Sequence, residues 1–522
     1  MPILSKISHK NTSSTLQQKI ALARTEMKDF MFDMIDNGEI YIKNSAPPGI
    51  GKSHLTIDLI YYRTMEQFLI IIPNHDMATG SGDLEDMLSQ KGIEFKHIYG
   101  KTQKYNEIDD YCLRPKDERY YPGCSYEYDP DDPVQLGGYT LDNERGIARC
   151  MFYDSCEYKQ QFMGVDDTQV IICVLEHAFM FGNRTVIVDE SFEQKLLQTN
   201  IFSESKLKNY NIKVKYPEKI KCGAEEFTFF NVETPEGINV HNTDSYFVKM
   251  FLNSVDQLQA VLIGENKYGD LLYKLFGHRI NYLPDYDRII FNCATTPLPL
   301  AEKIIKSNWE WKEFKSTIFK TDELSNPIIK FAYNWNKNMS STFLAQLFKS
   351  LQRLSLRNIL IVTKKKLREE LEQLIPDTSC VHFNAGRGFN SSSREGGYHL
   401  LLMYGRFGFT PLDSTMWNRI GYDSDIIKNM EWSEMMQCIH RGRPLLNPRM
   451  PIMLLTDATI CPDESRISPK VISLFDKHYD VDTSLSLRKL AEKLKISKSM
   501  AKHFRKYSKF IHTFIYGLDQ YV

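Results

Sequence analysis

Eight residues near the N-terminus, Ala46-Pro47-Pro48-Gly49-Ile50-Gly51-Lys52-Ser53, restrict the fold more than any other stretch. They follow the strand-like run Ile40–Lys43 and precede the helix-like run Leu55–Ile60. Strand, glycine turn, Lys-Ser and helix is the context of a phosphate-binding loop. Backbone N–H groups of the turn and of the helix start would cradle phosphate oxygens. Lys52 would extend to the β- and γ-phosphates, and Ser53 would place its hydroxyl on Mg²⁺. Pro48, Gly49, Ile50, Gly51 and His54 complete the expected nucleotide-contacting stretch. Ala46 stands where the usual pattern has its first glycine, which leaves close backbone approach to Gly49 and Gly51. A chance glycine-rich surface turn is the plain alternative, and the strand and helix on either side argue against it.

With 522 residues the chain suggests two to four domains. Its 42% hydrophobic and 25% charged residues are ordinary for a soluble globular protein. The longest apolar runs, Phe68–Ile72 and Val170–Leu175, are too short to span a bilayer and read as buried parallel strands. The polar stretch Met1–Thr15 lacks the apolar core of a secretory signal. The expectation is therefore a cytoplasmic protein, or one at a nucleoid or inside a virus-infected host. A net charge of −1 gives no global field for nucleic acid, so any such surface must be local. Ten cysteines in an intracellular chain point to a metal or cluster site before disulfides.

Residues 15–37 carry apolar side chains at helical spacing; Gln17 or Gln18 at the start could contact an adenine, the plain alternative being an exposed surface glutamine. The strand Phe68–Ile72 runs into Pro73-Asn74-His75, at the carboxyl end where α/β sheets bind ligands. Residues 100–165 are rich in Tyr, Asp, Pro and Gly and hold Cys112, Cys124, Cys150 and Cys156. Four cysteines in a segment that cannot build its own apolar core suggest a metal-stapled subdomain. Zinc and an iron–sulfur cluster both remain open on spacing. Arg184–Val188 is a strand ending in Asp189-Glu190, the Walker B arrangement. Asp189 would hold Mg²⁺, and Glu190 would orient and deprotonate the attacking water. Residues 195–285 are polar with mixed charge and are expected to form a helical insert. Arg288–Asn292 gives a further strand, ending in the turn Cys293-Ala294-Thr295-Thr296, which can couple a γ-phosphate sensor to a second site.

A second α/β unit is expected over 321–465. Arg387 and Phe389 lie in its Gly386-Arg387-Gly388-Phe389 loop, and a helix ends in Gln437-Cys438-Ile439-His440-Arg441-Gly442-Arg443-Pro444. Arg441 or Arg443 could enter the nucleotide cleft and stabilise transition-state charge. Residues 466–522 form a separate basic module. Within it, residues 484–510 hold nine Lys/Arg and one Glu in a helix-turn-helix pattern. Lys498, Lys502 and Arg505 lie on its second, recognition-like helix. A basic solvated cap or a protein-docking module would share this composition.

The order of these motifs resembles the superfamily 2 helicases of the iron–sulfur group, similar to XPD and DinG, over about residues 15–460. The resemblance implies an α/β chain with two RecA-like P-loop motor domains. Domain 1 would span 1–320, with the cysteine insert and an arch-like insert at 195–285, and domain 2 would span 321–465. It implies ATP and Mg²⁺ as cofactors, Gln437 among the nucleotide contacts, and Cys112, Cys124, Cys150 and Cys156 as ligands of a [4Fe–4S] cluster. It implies translocation on single-stranded or forked DNA, 5′ to 3′, in replication or repair. Asn74, His75, Arg387 and Phe389 are the expected strand contacts, with base stacking and phosphate contacts as their chemistry. Two departures stand out. Asp189-Glu190-Ser191-Phe192 replaces the usual Asp-Glu-Ala-His, and Arg443 comes one position earlier than the pattern. The basic module lies outside the family core and suggests docking on particular DNA sites or on replication or repair proteins. The chain is expected to be monomeric and to have no membrane partner. Two other readings are an RNA helicase or non-unwinding remodelling ATPase, and a replication-initiation factor whose tail binds a duplex site.

Overall fold

Short runs of β-branched and aliphatic residues form the strands of two parallel sheets in a computed structural model of the chain. The structure describes residues 9–79, 83–104, 110–112, 125–127, 139–142, 147–152, 154–190, 192–238, 243–306, 309–320, 326, 328–331, 358–374, 378–383, 398, 400–447, 450, 452–456, 465–467, 485–502 and 504–505. In chain order the strands begin with β1 (Tyr41–Asn44), β2 (Phe68–Ile72) and β3 (Phe95–Ile98), then β4 (Ser125–Glu127), β5 (Tyr139–Asp142) and β6 (Ile147–Cys150). Next come β7 (Val170–Val174), β8 (Arg184–Val188), β9 (Leu197–Ser203), β10 (Lys213–Cys222) and β11 (Glu225–Glu233). They are followed by β12 (Val255–Glu265), β13 (Leu271–Arg279), β14 (Tyr286–Phe291), β15 (Lys312–Phe314) and β16 (Ile328–Phe331). The last are β17 (Ile359–Thr363), β18 (Thr378–His382), β19 (Leu400–Tyr404), β20 (Ile452–Leu455) and β21 (Ser465–Ile467).

The first sheet has the order β15-β1-β14-β8-β2-β7-β3, and every pairing in it is parallel. All residues of β2, β7 and β8 are buried, as a sheet covered on both faces requires. The helix His9–Asp36 lays Ala23, Met27, Met31 and Ile35, each four residues apart, on one face of this core. The second sheet, β18-β17-β19-β20-β16-β21, is also parallel throughout. Among the described residues no helix is long and apolar enough to cross a membrane.

The expectation of a helical insert over 195–285 is wrong. This region is a five-stranded antiparallel sheet, β10-β11-β12-β13-β9, carrying the helices Glu204–Asn209 and Thr243–Asn253. The charged edge strand β10 exposes half or more of its residues, so its sequence reads like a solvated helix face. The buried alternation lies instead in β11 and β13, where Phe229, Tyr273, Leu275 and Phe276 supply the core. The cysteine insert is likewise more regular than its composition suggests, with a small antiparallel sheet, β4-β6-β5.

In the basic tail, the helix Leu487–Leu494 and a second helix starting at Lys498 bury Leu490, Leu494, Ala501 and Phe504 between them. Ser486 caps the first helix and Ser497 the start of the second. Lys498 and Lys502 are exposed, whereas Arg505 donates from Nη2 to the Leu485 carbonyl.

Candidate nucleotide site

In a parallel sheet the carboxyl ends of all strands lie along one edge. Because β1, β14 and β8 are neighbours, that edge brings together the phosphate-binding loop, the Asn292–Thr296 turn and Asp189-Glu190. Asp189 N–H bonds the Ile71 carbonyl and Asn292 N–H the Val188 carbonyl, so the ladder fixes where both side chains begin.

The loop turns through Gly49 (φ 93°) and Gly51 (φ 111°), left-handed conformations that disfavour any side chain. At Gly51 a Cβ would also meet Arg24 Nε at 3.1 Å. Arg24, from the N-terminal helix, donates from Nε to the Ile50 carbonyl at 2.5 Å and braces the loop. No sequence signal marks Arg24, because its partner is a backbone carbonyl 26 residues away. Lys52 opens its helix and donates from Nζ to the Ala46 carbonyl at 2.8 Å. Burial lowers the Lys52 pKa, against the opposing fields of Cys293, Asp189 and Glu190. Ser53 is half-exposed in the first helical turn and His54 is exposed.

Asp189 accepts from Asn292 Nδ2 at 3.4 Å, and the same amide lies 3.4 Å from Thr56 Oγ1. Burial, reinforced by the adjacent Glu190, raises the Asp189 pKa to about 6 despite Lys52, Arg441 and Asn292. A carboxylate held this way, beside a lysine and the loop amides, fits a divalent cation that carries phosphates. Proton and cation compete for Asp189. Binding of Mg²⁺–ATP should therefore fall about tenfold per pH unit once the pH drops well below 6, which a fluorescent-nucleotide titration would measure. The sign for folding is opposite. The raised pKa stabilises the cation-free fold below the ordinary carboxylate range, and that contribution is lost as pH rises through about 6.

Glu190 sits at φ 74°, a strained backbone for a non-glycine residue. Both of its carboxylate oxygens accept from Arg441 Nη2, at 2.6 and 2.5 Å. Arg441 comes from the end of the helix Ser424–His440 in the second α/β unit. Of the two arginines the sequence offers, the structure brings Arg441 onto Glu190. Arg443 (φ 52°) lies close by, with its pKa lowered by burial and by Arg441 against the field of Asp83. Leu446 follows and packs 3.5 Å from the position of a Cβ on Gly49. Gln437 is buried and donates to Cys293 Sγ at 3.5 Å, while Thr295 Oγ1 lies 3.3 Å from Ser433 Oγ. Gln437 thus touches the Cys293–Thr296 turn, and this turn joins the two units behind the nucleotide site.

The remaining expected residues fall elsewhere. Asn74 is half-buried at the end of β2. His75 bonds His97 at 2.8 Å, and its ring stacks on Tyr99 at 4.8 Å, which in turn stacks on Tyr111 at 5.0 Å. Burial, and then His97, push His75 down to about 4, so it is neutral at pH 7 and its ring belongs to this wall. Cys112, Cys150 and Cys156 are buried, and Cys156 donates to the Tyr111 carbonyl at 3.7 Å. Cys124, Arg387 and Phe389 lie outside the described residues. Among the described residues no three potential ligands converge as a metal site, so they do not by themselves form the expected cluster.

Fold and site together bring a glycine-rich strand-to-helix loop, an acidic strand end and Arg441 of a second parallel α/β unit to one place. No family model matches the sequence. No curated protein matches it either. Among solved structures, the chain is similar to Xpd4 of S. tokodaii, with 10% identity, 93% of this chain and 98% of that one covered, and a TM-score of 0.41. It is similar to S. cerevisiae Dbp5 bound to RNA and ADP BeF3, with 10% identity, coverage of 87% and 89%, and a TM-score of 0.38. A third is a hypothetical ATP-dependent RNA helicase from Sulfolobus tokodaii, with 11% identity, coverage of 87% and 97%, and a TM-score of 0.24.

Proposed function

We propose that the chain is an ATP-driven nucleic-acid motor with two RecA-like domains, acting as a helicase or translocase on single-stranded or forked DNA. The observation that carries this is the pairing of Arg441 with Glu190. A metabolic P-loop enzyme needs no second parallel α/β unit to present an arginine to its Walker B acid. A motor does, because hydrolysis must depend on how two domains sit.

Mg²⁺, when bound with ATP, supplies charge neutralisation on the β- and γ-phosphates. The chain's residues do the rest. Lys52 and the loop amides hold the phosphates, and Asp189 with Ser53 holds the cation. Glu190 accepts a proton from the attacking water as the water oxygen bonds to the γ-phosphorus and the bridging P–O bond breaks. ADP and phosphate leave. Arg441, withdrawn from Glu190, turns to the γ-phosphoryl oxygens and stabilises the charge that develops there. That exchange frees the glutamate as a base only when the arginine has a phosphate to face. The Thr295–Ser433 contact couples the step to movement of the second unit.

The 5′-to-3′ direction and the strand contacts at Asn74, Arg387 and Phe389 are carried over from the family resemblance, as is the four-cysteine module. Lys498 and Lys502 fit phosphate contacts on a second helix. Iron and zinc analysis of anaerobically purified protein distinguishes a [4Fe–4S] cluster, zinc and an apo insert. The test of the whole reading is ATP hydrolysis with single-stranded DNA, with RNA and without nucleic acid, beside unwinding of a forked duplex. DNA should raise the hydrolysis rate about tenfold or more, well within what positioning of the reacting groups can supply. Greater stimulation by RNA moves the substrate to RNA. Hydrolysis indifferent to both overturns the motor.

A further inference from the structure

The antiparallel insert does not hang free of the second unit. Its β10–β13 face packs on the helix Pro411–Arg419, and the contacts are specific. Arg419 donates from Nη1 to Glu218 at 2.7 Å and from Nε to Gln259, and its guanidinium lies 5.1 Å over the Phe229 ring. Pro411 closes on Gly223, where a Cβ would meet it at 3.0 Å. Cys222 Sγ lies 3.3 Å from Thr415 Oγ1, and Lys274 pairs with Asp413 at 3.5 Å. His278 lies parallel to Tyr422 at 5.8 Å and bonds its hydroxyl at 3.0 Å. Its other nitrogen faces the Arg279 carbonyl, so the neutral ring donates there and accepts from Tyr422.

The apolar core divides in the same way. One continuous cluster runs from Leu69 and Val186 of the first sheet, through Phe229 and Phe276 of the insert, to Trp417, Ile427 and Met430. Met435, Met436, Cys438 and Ile439, farther along the helix Ser424–His440, pack instead with Leu360 and Leu401 of the second sheet. The apolar side of the helix that ends at Arg441 thus packs at its start on the first unit and its insert, and farther along on the second sheet, while Ser433 and Gln437 keep polar contacts to Thr295 and Cys293 of the first unit.

We infer that Arg419 is a positioning residue for Arg441. Through it the insert holds the Pro411–Arg419 helix and the start of the Ser424–His440 helix as one body with the first sheet. The movement of the ATP cycle then falls where Met435, Met436 and Ile439 pack on the second sheet, as shear of that sheet along this helix, and the face between insert and helix stays closed. This inference rests on the proposed ATPase. Arg419 touches neither nucleotide nor Glu190; it acts by fixing the base of the lever that carries Arg441.

The test uses the full chain and the native Cys222. Arg419→Ala should lower kcat for ATP about tenfold and leave KM within about twofold, as loss of a group acting only on transition-state geometry does. In the Arg419→Ala, Thr415→Cys double variant, mild oxidation links Cys222 to the introduced thiol. kcat should then return to within about twofold of the wild type oxidised in parallel, and fall again on reduction. A merely misfolded variant gains nothing from oxidation. Unchanged kcat in Arg419→Ala overturns the inference, as does loss of turnover when Thr415→Cys alone is oxidised, because the face would then have to open in each cycle. If non-reducing gels show no cross-link, hydrogen exchange of Pro411–Arg419 and Glu225–Glu233 decides. Equal protection with and without ATP supports the brace, and loss of protection overturns it. A wild type that hydrolyses no ATP sinks the proposed function, while exchange measured with and without bound nucleotide still tests the brace.

Discussion

Glu190→Gln will lower the rate of ATP hydrolysis about a thousandfold while nucleotide affinity changes less than about threefold. Glutamine keeps the size of the side chain and one acceptor oxygen but cannot take a proton. Glu190 is not among the groups expected to hold the phosphates or the cation, which are Lys52, Ser53 and Asp189. Loss of the base therefore appears in kcat and not in binding. The left-handed backbone at Glu190 is unchanged by the substitution, so the strained turn that aims the side chain survives. Phosphate release in the steady state, beside a fluorescent-nucleotide titration, reads both quantities. A variant that hydrolyses at the wild-type rate would place the base on another residue.

Arg441→Ala is expected to have an effect of similar size, a fall of about a thousandfold in kcat, the lower end of what an arginine on a transferring phosphoryl group supplies. The substitution acts twice. It removes the group that would turn to the γ-phosphoryl oxygens, and it leaves the half-buried Glu190 carboxylate without its Arg441 partner. Arg443→Ala should cost far less, about tenfold, since Arg443 acts on the site through its neighbour. Combining Arg441→Ala with Glu190→Gln should be little worse than either change alone, because the two side chains serve one step. The measurement is kcat for all four proteins at saturating ATP. Equal losses for Arg441→Ala and Arg443→Ala would contradict the assignment, and additive losses in the double variant would show that the two residues act independently.

The strand, glycine turn and helix around residues 46–53 are legible because their geometry is local. Gly49, Gly51, Lys52 and Ser53 are neighbours in the chain, and the loop they form needs only the strand before it and the helix after it. Asp189-Glu190 was legible for the same reason, as a polar pair closing an apolar strand. The insert between β8 and β14 was misread as helical because β10, an edge strand, exposes most of its alternating lysines and glutamates. Composition on a half-solvated strand resembles that of a solvated helix, and only the pairing of β11, β12 and β13 separates the two. Its place after Pro73-Asn74 makes His75 look like a strand contact. Its engagement with His97 and Tyr99 depends on β3 lying two places from β2 in the sheet, which no local pattern encodes.

By itself, then, the sequence determined that this chain has a glycine-rich loop between strand and helix, an acid pair closing an apolar strand, a second α/β unit with an arginine motif and a basic tail. Each of these is a short-range pattern whose geometry follows from the chain's own periodicity and turn chemistry. The tertiary structure decided which arginine meets Glu190, that Arg24 braces the loop, and that the insert is a sheet gripping the Pro411–Arg419 helix. Those contacts join residues from 26 to 251 positions apart. What brings them together is burial of a shared apolar core and the convergence of parallel strand ends along one edge, and neither is written in any single stretch of the sequence.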